Sequence, residues 1–254
     1  MIFSNPPNDW EQLESRIWQI LTECGCIAER SKRIVLPRGE VQVDVYALDR
    51  TREPNLVIVC ECKHWNKPVN QNAVHAFRTV ISEIGAHVGL MISSKGFQSG
   101  AVKAAKNTNV ELLTWEQFEE RFYERWFEAM QKKLAGVADE VFDYSDYFHR
   151  RTTSVLHGIP ERVRELQLLW ARFSAYTEAT SSFSMLFRRH PPKFPIEIVD
   201  PRPGIQEIRT IKIADASTYF ELLFASARPA IDAYESFIAK YAEKGAASRD
   251  ADKM

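Results

Sequence analysis

Apolar positions along this chain change period several times. Residues 9–24, DWEQLESRIWQILTEC, place apolar side chains at Trp10, Leu13, Ile17, Ile20 and Leu21, the 3.6-residue spacing of an amphipathic helix. Asp9 stands where an N-cap belongs and Gly25 where such a helix stops. RSKRIVLPRGE then predicts a strand entering a turn at Pro37 and Gly39. VQVDVYAL (41–48) alternates, with Val41, Val43 and Val45 facing one way and Gln42, Asp44 and Tyr46 the other. A polar loop, DRTREPN, joins it to LVIVCECKHW, so these two strands should pair as an antiparallel hairpin.

After Pro68, NQNAVHAFRTVISEIG reads as a helix, HVGLMIS as a short apolar strand and GFQSGAVKAAKN as a turn plus helix. VELLTW is a further strand and EQFEERFYERWFEAMQKKL a long amphipathic helix. The order α-β-β-β-α-β-α-β-α predicts an α/β domain over residues 1–132, a mixed sheet with helices on both faces. Residues 133–254 read as a separate, mainly helical domain. A proline-rich link, PPKFPIEIVDPRP, and the alternating IQEIRTIKIAD add a short β element, and the residues from about 245 read as a disordered tail.

Composition changes this picture little. Apolar residues at 45% and charged residues at 26% are those of an ordinary globular protein. The first residues, MIFSNPPNDW, have neither the basic nor the apolar region of a secretory signal, and no apolar run reaches the ~20 residues of a membrane span. A cytoplasmic protein with no membrane partner is therefore expected. The net charge of −1 means that any grip on nucleic acid must come from local basic patches. The candidates are Arg30, Lys32, Arg33 and Arg38; His149, Arg150 and Arg151; and Arg188, Arg189, His190 and Lys193. The cysteines form two C-x-C pairs, Cys24/Cys26 and Cys60/Cys62, a spacing that suits buried thiols better than a four-thiolate zinc site.

The candidate chemistry lies at the end of LVIVCECKHW. Glu61 and Lys63 share the strand face of Val57 and Val59, so an apolar face ends in a carboxylate and an ammonium. Glu61–Lys63 is the only E-x-K in the chain, and there is no D-x-K. If the hairpin register brings the polar faces together, Asp44 converges on the same spot. Two carboxylates suit a hard divalent cation such as Mg2+, and the backbone carbonyl of Cys62 could add a ligand. With a lysine alongside, these groups suit metal-assisted hydrolysis of a phosphodiester. The competing reading of the same residues is an ion pair at the end of a strand.

From residue 13 to about 118 the chain resembles the Mrr-like restriction-endonuclease catalytic domain, within the PD-(D/E)xK nuclease superfamily. The resemblance rests on four stretches in order: LESRIWQILTECGC, VQVDVYA, VCECKHW and GAHVGLMISSKGFQSGAVKAAKNTNVELLTW. It implies a restriction-endonuclease-like fold and a Mg2+-dependent endonuclease (with Mn2+ a possible substitute) acting on DNA. It assigns Asp44, Glu61, Lys63 and Glu14 to catalysis, the first two also to the metal. His64, His75 and Gln71 are weaker candidates for phosphate contact, and Trp65, Phe77 and Trp115 read as core. Restriction or defence against foreign DNA follows from the resemblance; repair or junction cleavage, or a nuclease fold that binds without cutting, are the alternatives. The apolar helices of residues 133–254 suggest assembly, as a homo-oligomer or with a protein partner.

Overall fold

A computed structural model of the chain describes residues 1–37, 39–145, 156, 159–180, 191–203 and 207–251. The chain folds as two units, Phe3–Ala129 and Met130–Met254.

In the first unit, helix α1 (Trp10–Glu23) starts where Asp9 accepts the Gln12 backbone N–H at 2.7 Å. It stops at Gly25, whose φ of 87° a side chain would strain. Strands β1 (Ile27–Leu36), β2 (Gly39–Asp49), β3 (Leu56–Lys63), β4 (Val88–Ser93) and β5 (Val110–Thr114) form a sheet in sequence order. The first three pair antiparallel; β4 and β5 then join parallel, through helices α2 (Gln71–Ile84) and α3 (Ser99–Ala105). Helix α4 (Trp115–Ser145) follows β5. This is the mixed sheet with flanking helices that the patterning predicted, and it fits the restriction-endonuclease-like fold that the resemblance implied.

The apolar stripe of α1 (Leu13, Ile17, Ile20 and Leu21) is buried, and the helix lies against β1, β2 and β3. A second core surrounds Val59, Val74, Phe77, Ile81 and Met91, where α2 packs on the sheet. Between them these layers bury β3 on both faces, leaving its carboxyl end as the place where charge can stand at the sheet's rim.

Two sequence expectations fail here. Asp49, assigned to the loop, is instead the last residue of β2 and is 1% exposed. Its partner Arg125 lies 76 residues away and donates to it at 2.6 and 2.9 Å, so burial is compensated by an ion pair that local sequence cannot reveal. Val43 does not share a face with Val45 either: it belongs to the core around Val59, whereas Val45 stands opposite Cys60.

In the second unit, α5 (Pro160–Arg172), α6 (Ser174–Thr180) and α7 (Ala216–Ala251) accompany a two-stranded sheet, β6 (Ile196–Val199) with β7 (Thr210–Ile213). Its core is aromatic. Tyr144 stacks on Tyr234 with ring centroids 5.3 Å apart, and Phe173 meets the same ring at 5.6 Å. Helix α7 extends to Ala251. Of the proposed basic patches, Arg38, His149–Arg151 and Arg188–His190 lie outside the described residues.

Candidate active site

The site is organised by a break in strand alternation. Glu29 stands opposite Tyr46 in the β1–β2 register, so these two share a face. Lys32 reaches Glu29 at 2.6 Å and lies 3.9 Å above the Tyr46 ring, so it is on that face too. Residues three apart in a regular strand point in opposite directions. The phase therefore slips between them, and Ser31, with φ of 49°, is where the backbone leaves the strand region. As a result Arg30 turns to the α1 side of the sheet, toward Glu14, while Lys32 turns to the other.

Asp44 stands at the matching place on β2. The register runs from Arg30↔Val45 to Lys32↔Val43, passing over the pair Ser31–Asp44. On its other side, the β2–β3 ladder runs only to Val45↔Cys60. There the Asp44 carboxylate, rather than a backbone carbonyl, accepts the Cys62 N–H at 2.6 Å. One further step of the register would set Asp44 opposite Glu61. The Lys63 ammonium is 2.5 Å from the Glu61 carboxylate and 5.2 Å from the Trp65 ring. Ser94, just past β4, donates its backbone N–H to the Lys63 carbonyl at 3.1 Å and fixes the end of β3.

Glu14 approaches from α1 and is 7% exposed. Its Oε2 lies 3.7 Å from an Arg30 Nη, too long for a hydrogen bond. Electrostatics records the crowding of acids. Burial raises the pKa of Glu14 and the negative charge of Asp44 adds to it, with Arg30 pulling the other way and Glu61 contributing least. Burial likewise raises Glu61, with Asp44 adding to it and Lys63 opposing. Asp44 is raised by burial against the pull of the Cys62 N–H and Lys63. Carboxylates held at such a penalty call for a cation.

The residues present fit a hard divalent ion. Glu14 Oε2 is buried without a hydrogen-bond partner, and its charge adds negative potential beside Asp44 and Glu61. Asp44 and Glu61 supply oxygen donors, the type and number that Mg2+ takes while keeping several waters. Among the described residues no group of three or more His, Cys, Asp or Glu side chains forms a ready metal cage. Thiolate ligation finds no support: all four cysteines are free and buried, and burial pushes the Cys24 thiol up to about 12 and raises those of Cys26, Cys60 and Cys62.

The remaining candidates divide. His64 binds the Pro7 carbonyl at 3.2 Å. His75 lines a shallow groove with Arg78, Ser82 and Asn107 on the outer side of α2, and Gln71 lies against Gly100; neither is shown near Asp44. Phe77 and Trp115 are core, as expected, but Trp65, two residues past the end of β3, is 37% exposed. Arg30, Lys32 and Arg33 do not make an open basic patch, since each faces an acid: Glu14, Glu29 and Glu40. Sequence placed Arg30 in a basic patch and missed its place beside Glu14. RSKR is polar on either face, so nothing in it marks the phase slip.

Residues 7–122 match the restriction endonuclease family, through its Mrr catalytic domain. This segment is an Mrr-like restriction-endonuclease domain. Strand β2 with Asp44 and the end of β3 with Glu61 and Lys63 lie inside the match. A crystallised protein of unknown function, AF1548, aligns at 19% identity over 46% of this chain and 64% of its own length, with a TM-score of 0.37. The chain thus spans less than two thirds of that protein. No curated protein matches the sequence. Among the described residues, no helix is long and apolar enough to cross a membrane.

Proposed function

We propose that this chain is a cytoplasmic, divalent-metal-dependent endodeoxyribonuclease serving in restriction or defence against foreign DNA. The observation that carries the catalytic reading is the Asp44 carboxylate standing in for the β2–β3 ladder at Cys62, next to the Glu61–Lys63 pair. In this reading Asp44, Glu61 and the Cys62 carbonyl hold Mg2+, or Mn2+ in its place. Such an ion supplies Lewis acidity to a phosphoryl oxygen and lowers the pKa of a bound water.

The chain's own groups do the rest. The Cys62 N–H fixes the direction of Asp44, so the carboxylate is oriented before substrate arrives. Lys63, held by Glu61, presents an ammonium that orients the attacking water and stabilises charge developing on the phosphate. Glu14 supports from α1 by adding negative potential. The second unit serves assembly, as a homo-oligomer or with a protein partner.

Incubation of the full chain with plasmid DNA in Mg2+ and in EDTA tests the activity. Nicked and linear products should form with Mg2+ alone. Binding without cutting under both conditions would leave a nucleic-acid-binding protein on a nuclease fold, and selective cutting of branched substrates would favour repair.

A further inference from the structure

Among the described residues, two buried side-chain atoms have no hydrogen-bond partner: Glu14 Oε2 and Arg30 Nε. They belong to facing side chains. An acceptor and a donor brought so close would ordinarily close the gap, because an unmade buried hydrogen bond is costly. Here the nearest approach is 3.7 Å, an ion pair without a hydrogen bond. The backbone, too, is bent to keep Arg30 there. The positive φ at Ser31 is what turns residue 30 toward Glu14, and such conformations persist where surrounding structure enforces them.

The charges give the arrangement a purpose. Glu14, Asp44 and Glu61, when ionised, carry three negative charges; Arg30 and Lys63 return two. With Arg30 in place the cluster is one charge negative, which a single divalent ion turns to one positive, matching one phosphodiester. Without Arg30 the cluster would be two charges negative, and Glu14 would be free to turn toward a metal.

We propose that Arg30 is a positioning residue that holds Glu14 away from the metal and thereby restricts the site to one divalent ion. This rests on the metal-dependent reading of Asp44 and Glu61. Arg30 fills the place beside Glu14 that a second cation would occupy, and its guanidinium cannot be titrated away. A guanidinium held off by a fraction of an ångström also leaves Glu14 geometrically ready, which is why both atoms stay unsatisfied.

Calorimetric titration of the full chain with Mn2+ alone tests this without reference to cleavage. The wild type should bind one ion. Arg30→Met should bind a second, or bind the first at least tenfold more tightly, while losing cleavage; Arg30→Lys should stay with one. A residue that merely stabilises the fold would instead weaken metal binding and cleavage together. Glu14→Gln in the otherwise unchanged chain, nearly isosteric, covers the case in which Arg30→Met fails to fold. It should leave one Mn2+ bound within about threefold of wild type. Unchanged stoichiometry and affinity in a folded Arg30→Met, or a tenfold loss in Glu14→Gln, would overturn the proposal. Wild type binding no ion, unaltered by Asp44→Asn, would overturn the metal-dependent reading along with it.

Discussion

Two of the three carboxylates of strand β2, Asp44 and Asp49, stand five residues apart and live in opposite worlds. Asp49, at one end, accepts two hydrogen bonds from Arg125 and two more from Thr51, its N–H at 3.0 Å and its hydroxyl at 2.7 Å. Arg125 in turn donates to the Cys24 carbonyl at the end of α1, tying α1, β2 and α4 at one point. These donors hold the Asp49 carboxyl down at about 2 in spite of burial. Asp44 has one N–H and a more distant ammonium, and burial raises it. A carboxylate whose native partners are all present is a structural device. One left at an electrostatic penalty, at a break in the ladder, is available for something not yet bound.

The sharpest way to break this comparison is to neutralise each end in turn and measure cleavage. Asp44→Asn, Glu61→Gln and Lys63→Ala should each lower plasmid cutting at least a thousandfold, an effect of about 4 kcal/mol on the barrier. DNA affinity and thermal unfolding should change little. On the proposed reading, in which Asp44 and Glu61 hold one ion, the double variant should be scarcely worse than either single one. Asp49→Asn, by contrast, should cut normally wherever it remains folded. Substantial cutting by Lys63→Ala would remove that residue from the chemistry.

Sequence alone reached one of these carboxylates and misplaced the other. Asp44 was legible because it interrupts an alternating apolar strand, and Glu61–Lys63 because they end one. The strands and helices themselves were legible for the same reason: period two and period 3.6 are local properties. Asp49 looked like loop because a charged residue opening DRTREPN gives no hint of a guanidinium 76 positions on. Arg30 was read as part of a basic patch and not as a neighbour of Glu14, since a phase slip at Ser31 leaves no mark when the flanking residues are polar. Trp65 went wrong by composition: a tryptophan after an apolar strand suggests core, yet it lies two residues past the strand's end and is exposed. What escapes the sequence is long-range pairing and backbone phase.

The next effect in size is stability at the structural end. Asp49→Asn removes the charge that Arg125 was placed to meet and leaves a half-buried guanidinium short of its partner. Chemical denaturation should show a loss of about 2–3 kcal/mol. The pH dependence follows with a definite sign. A carboxyl at about 2 when folded and 3.8 ordinarily stabilises the fold at all pH above 4, and loses that contribution as pH falls toward 2. The whole term is about 2 kcal/mol, so the gap between wild type and Asp49→Asn should close over that interval. A gap that stays constant down to pH 2 would mean the pair contributes by packing rather than by charge.

The smallest effect is the most telling, because it has the opposite sign. Asp44 is raised by burial, so its ionised form is less welcome in the folded chain than in the unfolded one. At neutral pH that charge therefore subtracts from stability, and the subtraction fades as pH falls below the folded value and the carboxyl becomes neutral. Asparagine keeps an oxygen to accept the Cys62 N–H, discards the charge and fits the same space. In metal-free buffer at neutral pH, Asp44→Asn should be more stable than wild type by about 0.5–1 kcal/mol, while being unable to cut. Adding Mn2+ should stabilise the wild type and leave the variant unmoved, reversing the order. An Asp44→Asn protein less stable than wild type in EDTA would place Asp44 with Asp49, as a residue the fold needs for itself.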